Sequence, residues 1–439
     1  MKLSIAASAL LITGYALAVP LVHHQQSLED HTKLAPLYVP GESIANSYIV
    51  VLKDHLSPKA LKDHATWIQG FVQESDRSWL LEPLSGIQHV YDTPHVKGYA
   101  GKFDDAVIDL LRTSPDVAFI EKDSMVYANE LQRDAPWGLA RLSHRERLAL
   151  DTYHDYQYND KGGEGIKVYV IDTGINVAHV DFGNRATWGY TVPQGDVDED
   201  GNGHGSHVAG TIAGKRYGVA KKAQPVAVKV LRSNGSGTMS DVIKGVDWAT
   251  SKHLEDSKAA KAAGKKFKGS AANMSLGGMK SPSLDNFAVD AGIVFAVAAG
   301  NDNDDACVYS PAGAERAITV GASTVSDSRA YFSNYGPCVD VFAPGMGIES
   351  VWRGSNTATN TISGTSMASP HVAGLAAYFL SLQESETTPD EIKKMILSLA
   401  TKGILTQIPE DTPNLLVFND ETIEDVPEQG FLKAIFGDI

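Results

Sequence analysis

From about Ala135 onward, four runs of the chain are apolar with little polar interruption: IKVYVIDTGI, QPVAVKVLRS, GIVFAVAAGN and AITVGAS. A strand with one wet face alternates apolar and polar residues, so runs like these belong to strands buried on both faces. Helical spacing of apolar positions intervenes in HVAGTIAGKRYG, SDVIKGVDWATSKHL and SLDNFAVDA. Buried strands alternating with helices predict an α/β fold, a mostly parallel sheet covered on both faces. Ahead of this region the pattern is finer. NSYIVVLKD from Asn46 reads as a strand, SPKALKDHATWIQGFVQ as a helix capped by Ser57, and HVKGYAGKF as a second strand. DDAVIDLLRTSPDV follows as a helix with an aspartate N-cap, and AFIEKDSMVYA as a last strand, which predicts a small α+β unit over about residues 47–128. The lysine-rich Ser257 to Gly269 reads as a solvated helix end or surface insertion. From about Glu410, Asp411, Asp420, Glu421, Glu424, Asp425 and Glu428 stand against Lys433, which reads as a poorly packed acidic tail.

The N-terminus carries a different signal. Met1-Lys2 precedes the apolar LSIAASALLITGYALA, which ends in Ala16-x-Ala18, the pattern of a secretory signal peptide cut after Ala18. A membrane anchor needs about 20 apolar residues, and no later segment is long and apolar enough to span a bilayer. The chain is therefore read as entering the secretory pathway and ending soluble, either extracellular or in a vacuole. The formal net charge of −15 argues against a nucleic-acid partner, since phosphate neutralisation needs net cations. Cys307 and Cys338 are the two cysteines of the 439-residue chain, and in an oxidising compartment they are expected to form a disulfide.

Three junctions between buried strands and helices are rich in reactive side chains. VYVIDTGI makes Asp172 the first polar residue after a strand, DGNGHGSHVAGTIAG sets His204 between glycines at a helix start, and SGTSMASPHVAG sets Ser366 at another. An alcohol is a poor nucleophile at neutral pH and needs a base such as imidazole, which in turn needs a carboxylate to hold its tautomer. Singly, each residue is as well read as a cap or a turn.

Together they resemble the subtilisin-like serine protease family, in its Asp…His…Ser chain order. APWGLAR, VIDTGI, GNGHGSHVAGT, YGVAKK, MSLGG, AAGN, FSNYG and GTSMASPHVAGL occur in family order from Ala135 to Leu382. The chain looks most like the fungal proteinase K-like branch, especially the cerevisin-like vacuolar proteases. The resemblance implies the subtilisin-like three-layer α/β fold over 130–420 and a propeptide over 19–129 with an inhibitor-like α+β domain at about 46–128. It leaves 421–439 as the tail. It also implies a monomeric serine endopeptidase of broad specificity, acting on proteins and peptides and inhibited by its own propeptide until it cuts itself between Ala128 and Glu130. Ser366 would be the nucleophile, His204 the base, Asp172 the orienting carboxylate and Asn301 the oxyanion donor. Ser236 and Gly237, with Ser275, Leu276 and Gly277, resemble the two segments that take a peptide between them as an added strand. Ala298, Ala299 and Gly300 resemble the wall of a roomy apolar slot with no acidic cluster.

The same stretches admit other readings. His204 and His207 are spaced like metal ligands, but a zinc hydrolase needs more. DVDEDG from Asp196 begins like a calcium loop, yet its twelfth position is His207 instead of a bidentate glutamate. Proteinase K-like members hold calcium near the segment after VGAS. Here Thr324 stands where that branch has an aspartate, and Arg145 replaces another ligand. No cofactor is expected, with calcium kept as the alternative. His371 reads as a packed structural residue. Asn234-Gly-Ser is the accessible glycosylation sequon, and Asn273-Met-Ser the inaccessible one. An inactive scaffold is disfavoured by the intact Asp172, His204, Asn301 and Ser366, and an esterase by the two peptide-edge segments.

Overall fold

The computed structural model describes residues 34–39, 43–53, 55–75, 86–93, 96–124, 129–287, 292–383 and 386–420. The signal-peptide reading, Ala128 in the processing segment and the tail at 421–439 lie outside the described residues. The chain forms two compact units that divide between Met125 and Val126.

In the first unit β1 (Leu37–Tyr38), β2 (Ser43–Leu52), α1 (Pro58–Ser75), β3 (Gly86–Asp92), β4 (Lys97–Lys102), α2 (Asp105–Thr113) and β5 (Val117–Ser124) follow in order. Their five-stranded sheet has the order β1-β5-β2-β4-β3, with β2 antiparallel to both neighbours. Leu61 and Ile68 of α1 and Val107, Ile108 and Leu111 of α2 pack with Val50, Leu52, Tyr99 and Ile120 of the sheet in one core. The aspartate cap of α2 is Asp104, whose carboxylate accepts from the Val107 N–H at 2.8 Å. The patterning missed β3. Beyond Gly86 and Ile87 its side chains are all exposed, so it shows no apolar alternation.

The second unit contains β6 (Asn129–Gln132), α3 (Trp137–Leu142), β7 (Tyr156–Asn159), β8 (Lys167–Asp172), β9 (Thr187–Thr191), α4 (His204–Ala213) and β10 (Gln224–Lys229). It continues with α5 (Met239–Ala262), β11 (Ser270–Met274), β12 (Gly278–Met279), α6 (Pro282–Phe287), β13 (Val294–Ala298), β14 (Tyr309–Ser310) and β15 (Ile318–Ser323). Last come β16 (Val341–Pro344), β17 (Ile348–Val351), β18 (Thr359–Ile362), α7 (Thr365–Leu382), α8 (Pro389–Leu399), β19 (Thr401–Lys402) and β20 (Leu415–Leu416). A nine-stranded sheet runs β19-β20-β16-β15-β13-β11-β8-β10-β9, and every pairing in it is parallel except β19 with β20. The four apolar runs are β8, β10, β13 and β15, as the patterning requires.

Helix α7 is small and apolar on every side, and Thr365 to Ser381 is buried apart from Ser366. It packs on α4 and on β11, β13, β15 and β16, which is where an all-apolar helix belongs. The lysine-rich stretch is the solvated end of α5, which runs to Ala262, in line with the sequence reading. One expectation changes. The acidic tail does not begin at Glu410: Leu416, Val417, Phe418 and Asn419 are buried, and β20 joins the main sheet.

Candidate active site

Because β8, β10, β11 and β13 are parallel, the chain leaves all of them at one edge, and the crevice beyond such ends is where open α/β sheets bind ligands. Asp172 ends β8, Ser236 and Gly237 lie in the loop after β10, Ser275 to Gly277 follow β11, and Ala299 to Asn301 follow β13. Helix α4 starts with His204, and Ser366 is the second residue of α7.

His204 is placed by its neighbours. Gly203 enters α4 at φ 104°, and a Cβ there would lie 2.6 Å from the Trp352 ring, so glycine is required on both counts. His204 Nδ1 lies 2.8 Å from Asp172 Oδ1, which also accepts from the Thr173 N–H at 2.7 Å. Asp172 is fully buried while the His204 side chain is 25% exposed. With Nδ1–H donated to the carboxylate, the Nε2 lone pair is left for chemistry. Burial works against the imidazolium, but the charge of Asp172, its hydrogen bond and the charge of Asp200 outweigh it, so His204 titrates above its ordinary value.

Asp200 does more than add charge. Its Oδ1 accepts from Thr173 Oγ1 and the Gly203 N–H, both at 2.8 Å, and from the Asn202 N–H at 3.1 Å. Its Oδ2 accepts from the Ser206 N–H at 2.9 Å and Ser206 Oγ at 2.6 Å. Thr173 Oγ1 in turn accepts from the Gly205 N–H at 2.9 Å. The strand end bearing Asp172 and the first turn of α4 are thus clamped by one buried carboxylate. The fully buried Lys229 ammonium adds a donor to the Thr173 carbonyl at 2.9 Å.

Ser366 has an equally specific mooring. Pro370, four residues on, has no N–H to give to the Ser366 carbonyl. Ser275 Oγ donates to it at 2.7 Å, and Ser366 Oγ donates to the Ser275 carbonyl at 3.2 Å. In this conformation the Ser366 hydroxyl makes no hydrogen bond to His204. Asn301 is held by its oxygen, which accepts from the Thr365 N–H at 2.8 Å and Thr365 Oγ1 at 3.0 Å. Thr365 Oγ1 itself accepts from the Gly300 N–H at 3.2 Å. The Asn301 NH2 is left without a partner among the described residues, facing the cavity that Ser366 also lines.

Two cavities flank the segment after β11. One of about 430 Å³ is lined by His204, Ser236, Gly237 and Ser275, the other of about 440 Å³ by Ala298, Ala299, Gly300, Asn301 and Ser366. Leu276, Gly277, Gly278 and Ser310 line both. Every residue read from the sequence as catalytic, oxyanion or substrate-edge lines one of these two adjoining cavities, which together make up the candidate groove, except Asp172, which sits behind His204. The sequence missed Met279, Asp302 and Tyr309 in the second cavity. Asp302 is the one acidic residue among those lining this cavity, which holds no acidic cluster.

Cys307 and Cys338 are disulfide-bonded, with Cα atoms 5.2 Å apart. His207 is buried and bonded through Nε2 to the Ile348 carbonyl at 2.9 Å, and His371 through Nδ1 to the Met367 carbonyl at 2.8 Å. Burial pushes each imidazole down to about 4. Asn234 is exposed, whereas Asn273 is fully buried within β11.

Fold and groove together are those of a serine peptidase, and comparison with known proteins narrows the class. Residues 163–417 match the subtilase family, and residues 47–129 match the peptidase inhibitor I9 family. The chain belongs to the subtilase family. It is 53% identical over 444 residues to the subtilisin-like serine protease Pen ch 18 of Penicillium rubens, covering 95% of this chain and 88% of that one. It is likewise 53% identical over 417 residues to alkaline protease 2 of Aspergillus fumigatus, covering 89% and 84%. A crystal structure of a cold-adapted subtilisin-like serine proteinase superposes with a TM-score of 0.58 at 44% identity, over 65% of this chain and 98% of that one. This is a serine endopeptidase with protein substrates, made as a zymogen behind an inhibitory I9 propeptide.

Proposed function

We propose that Ser366, His204 and Asp172 form the catalytic triad of this endopeptidase. Rotation about its χ1 turns the Ser366 hydroxyl from the Ser275 carbonyl towards His204 Nε2. The imidazole takes the proton as Ser366 Oγ bonds to the scissile carbonyl carbon, and Asp172 stabilises the cation so formed. Charge arriving on the carbonyl oxygen meets the Asn301 NH2 and the Ser366 N–H, which lies in the first turn of α7 where N–H groups have no helical partner. The imidazolium then protonates the leaving amine, giving an ester at Ser366. Water, deprotonated by the same imidazole, cleaves that ester and restores the serine. The observation that carries this reading is the 2.8 Å His204–Asp172 pair, held at the sheet edge beside a groove that also presents Ser366 and the unpartnered amide of Asn301.

A peptide is proposed to lie between Ser236–Gly237 and Ser275–Gly277 as an added strand, held through main-chain hydrogen bonds that ignore side chains, which gives broad specificity. Ala298, Ala299 and Gly300 form the slot for the residue before the cut, with Asp302 tuning its charge preference. The enzyme acts as a monomer, removes its own propeptide between Ala128 and Glu130, carries a glycan on Asn234 and works outside the cell or in a vacuole. A Ser366→Ala chain expressed in a host lacking related proteases should remain full length. Normal appearance of a product starting near Asn129 from that variant would contradict self-cleavage.

A further inference from the structure

Four oxygens converge at the start of β15. Glu315 and Ala317 precede this strand, and Asp340 immediately precedes β16, its neighbour in the sheet. The Lys393 ammonium, reaching across from α8, lies 2.9 Å from the Glu315 carbonyl oxygen and 2.7 Å from that of Ala317. It lies 2.9 Å from Asp340 Oδ1 and 3.0 Å from Oδ2. The Thr319 N–H donates to Asp340 Oδ2 at 2.8 Å and fixes the carboxylate's orientation. The Lys393 side chain is 18% exposed and that of Asp340 21%, so the cage is largely shielded. Two main-chain carbonyls and a carboxylate presenting both oxygens are the donor set of a hard divalent cation, which binds oxygens at about 2.3–2.6 Å. The ammonium fills that set at hydrogen-bond distance, and both cannot be accommodated together.

The two positions where the resemblance implies calcium ligands, Thr324 and Arg145, are engaged by other protein groups. Thr324 Oγ1 contacts the hydroxyls of Ser326 at 3.0 Å and Ser328 at 2.8 Å. The nearby carboxylate, Asp327, is taken by the buried Arg141 guanidinium at 2.8 and 3.3 Å. Arg145 donates to the Leu399 carbonyl and lies 3.7 Å above the Phe418 ring. The residues present do not fit calcium. We propose that Lys393 is a built-in cation occupying a latent divalent-metal site, so that the catalytic unit keeps its stability without calcium and becomes a calcium binder when the ammonium is removed.

The test compares the mature enzyme with its Lys393→Met variant, each stopped from self-digestion with a sulfonyl fluoride. Thermal unfolding is followed in EDTA and in millimolar calcium chloride. The variant should gain on the order of 5 °C more from calcium than the parent does, as expected for a ligand well above its Kd. Adding Asp340→Asn should remove that extra gain. An equal calcium response in variant and parent, or an extra gain that survives Asp340→Asn, overturns the proposal. If Lys393→Met does not accumulate folded, the yield of folded Lys393→Ala with and without calcium decides. A yield raised by calcium supports the latent site, and an unchanged yield refutes it.

Discussion

The mooring of Asn301 allows the oxyanion contribution to be divided between two residues. Asn301→Ala removes the amide proposed to meet the developing charge, and losing one such donor costs about 2.7–4 kcal/mol, or about 10²–10³ in kcat. Thr365 is proposed to act through Asn301, whose oxygen it holds. Thr365→Val keeps the shape of this buried side chain but deletes the 3.0 Å hydroxyl bond to Asn301 Oδ1, leaving the 2.8 Å bond from the Thr365 N–H. It also leaves the Gly300 N–H without its acceptor. One neutral hydrogen bond is worth about 0.5–1.5 kcal/mol. At about 1.4 kcal/mol per factor of ten, kcat should fall roughly two- to twelvefold with KM little changed. Because the two residues act in series, Thr365→Val should add little further loss to Asn301→Ala. Steady-state kinetics on a peptide anilide separate kcat from KM for all three variants. An additive double variant, or a raised KM with unchanged kcat in Asn301→Ala, would show ground-state binding and refute the reasoning.

Two further outcomes follow from buried titratable groups. Asp200→Asn sets an amide against the Ser206 donors and should cost about 2–4 kcal/mol in urea unfolding. Removing that negative charge also lowers the His204 pKa, and a base works only when neutral, so the acid limb of kcat/KM should move to lower pH; an unmoved limb would separate Asp200 from His204. His207 and His371 are each pushed down to about 4 from an ordinary 6.5. As pH falls from 6.5 the unfolded chain takes up protons first, so stability present above 6.5 drains away until about pH 4. At about 1.4 kcal/mol per pK unit, each contributes a loss of about 3 kcal/mol. Guanidinium unfolding of the inhibited enzyme at several pH values reads this directly, and His371→Leu should flatten the acid slope.

The catalytic unit was the more legible half of the chain because β8, β10, β13 and β15 are buried on both faces and leave unbroken apolar runs. Strand β3 escaped because its side chains are mostly exposed and it pairs through its backbone alone. The acidic residues after Glu410 concealed Leu415 to Asn419, whose short apolar run is enough to add an edge to the sheet. At the site, side chains that react could be found from their glycine-rich settings. Those that position them could not. Asp200 stood only as one position of the calcium-like run that begins at Asp196, since the main-chain N–H groups that mainly meet its carboxylate leave no mark in a sequence. Lys393 carries no mark in the sequence either, since its partners are two carbonyls and a carboxylate from the approaches to two distant strands. Pro370 stands in plain sight four residues after Ser366, but its consequence, a free Ser366 carbonyl for Ser275, appears only when β11 and α7 are side by side.

His204 is proposed to make Ser366 nucleophilic. Labelling the mature enzyme with a fluorophosphonate and mapping the adduct by peptide mass spectrometry tests this most directly. A single adduct on Ser366 Oγ is expected, with labelling lost or slowed by orders of magnitude in mature His204→Ala enzyme produced by processing in trans. An adduct on another residue, or labelling of Ser366 at an undiminished rate without the imidazole, would contradict it.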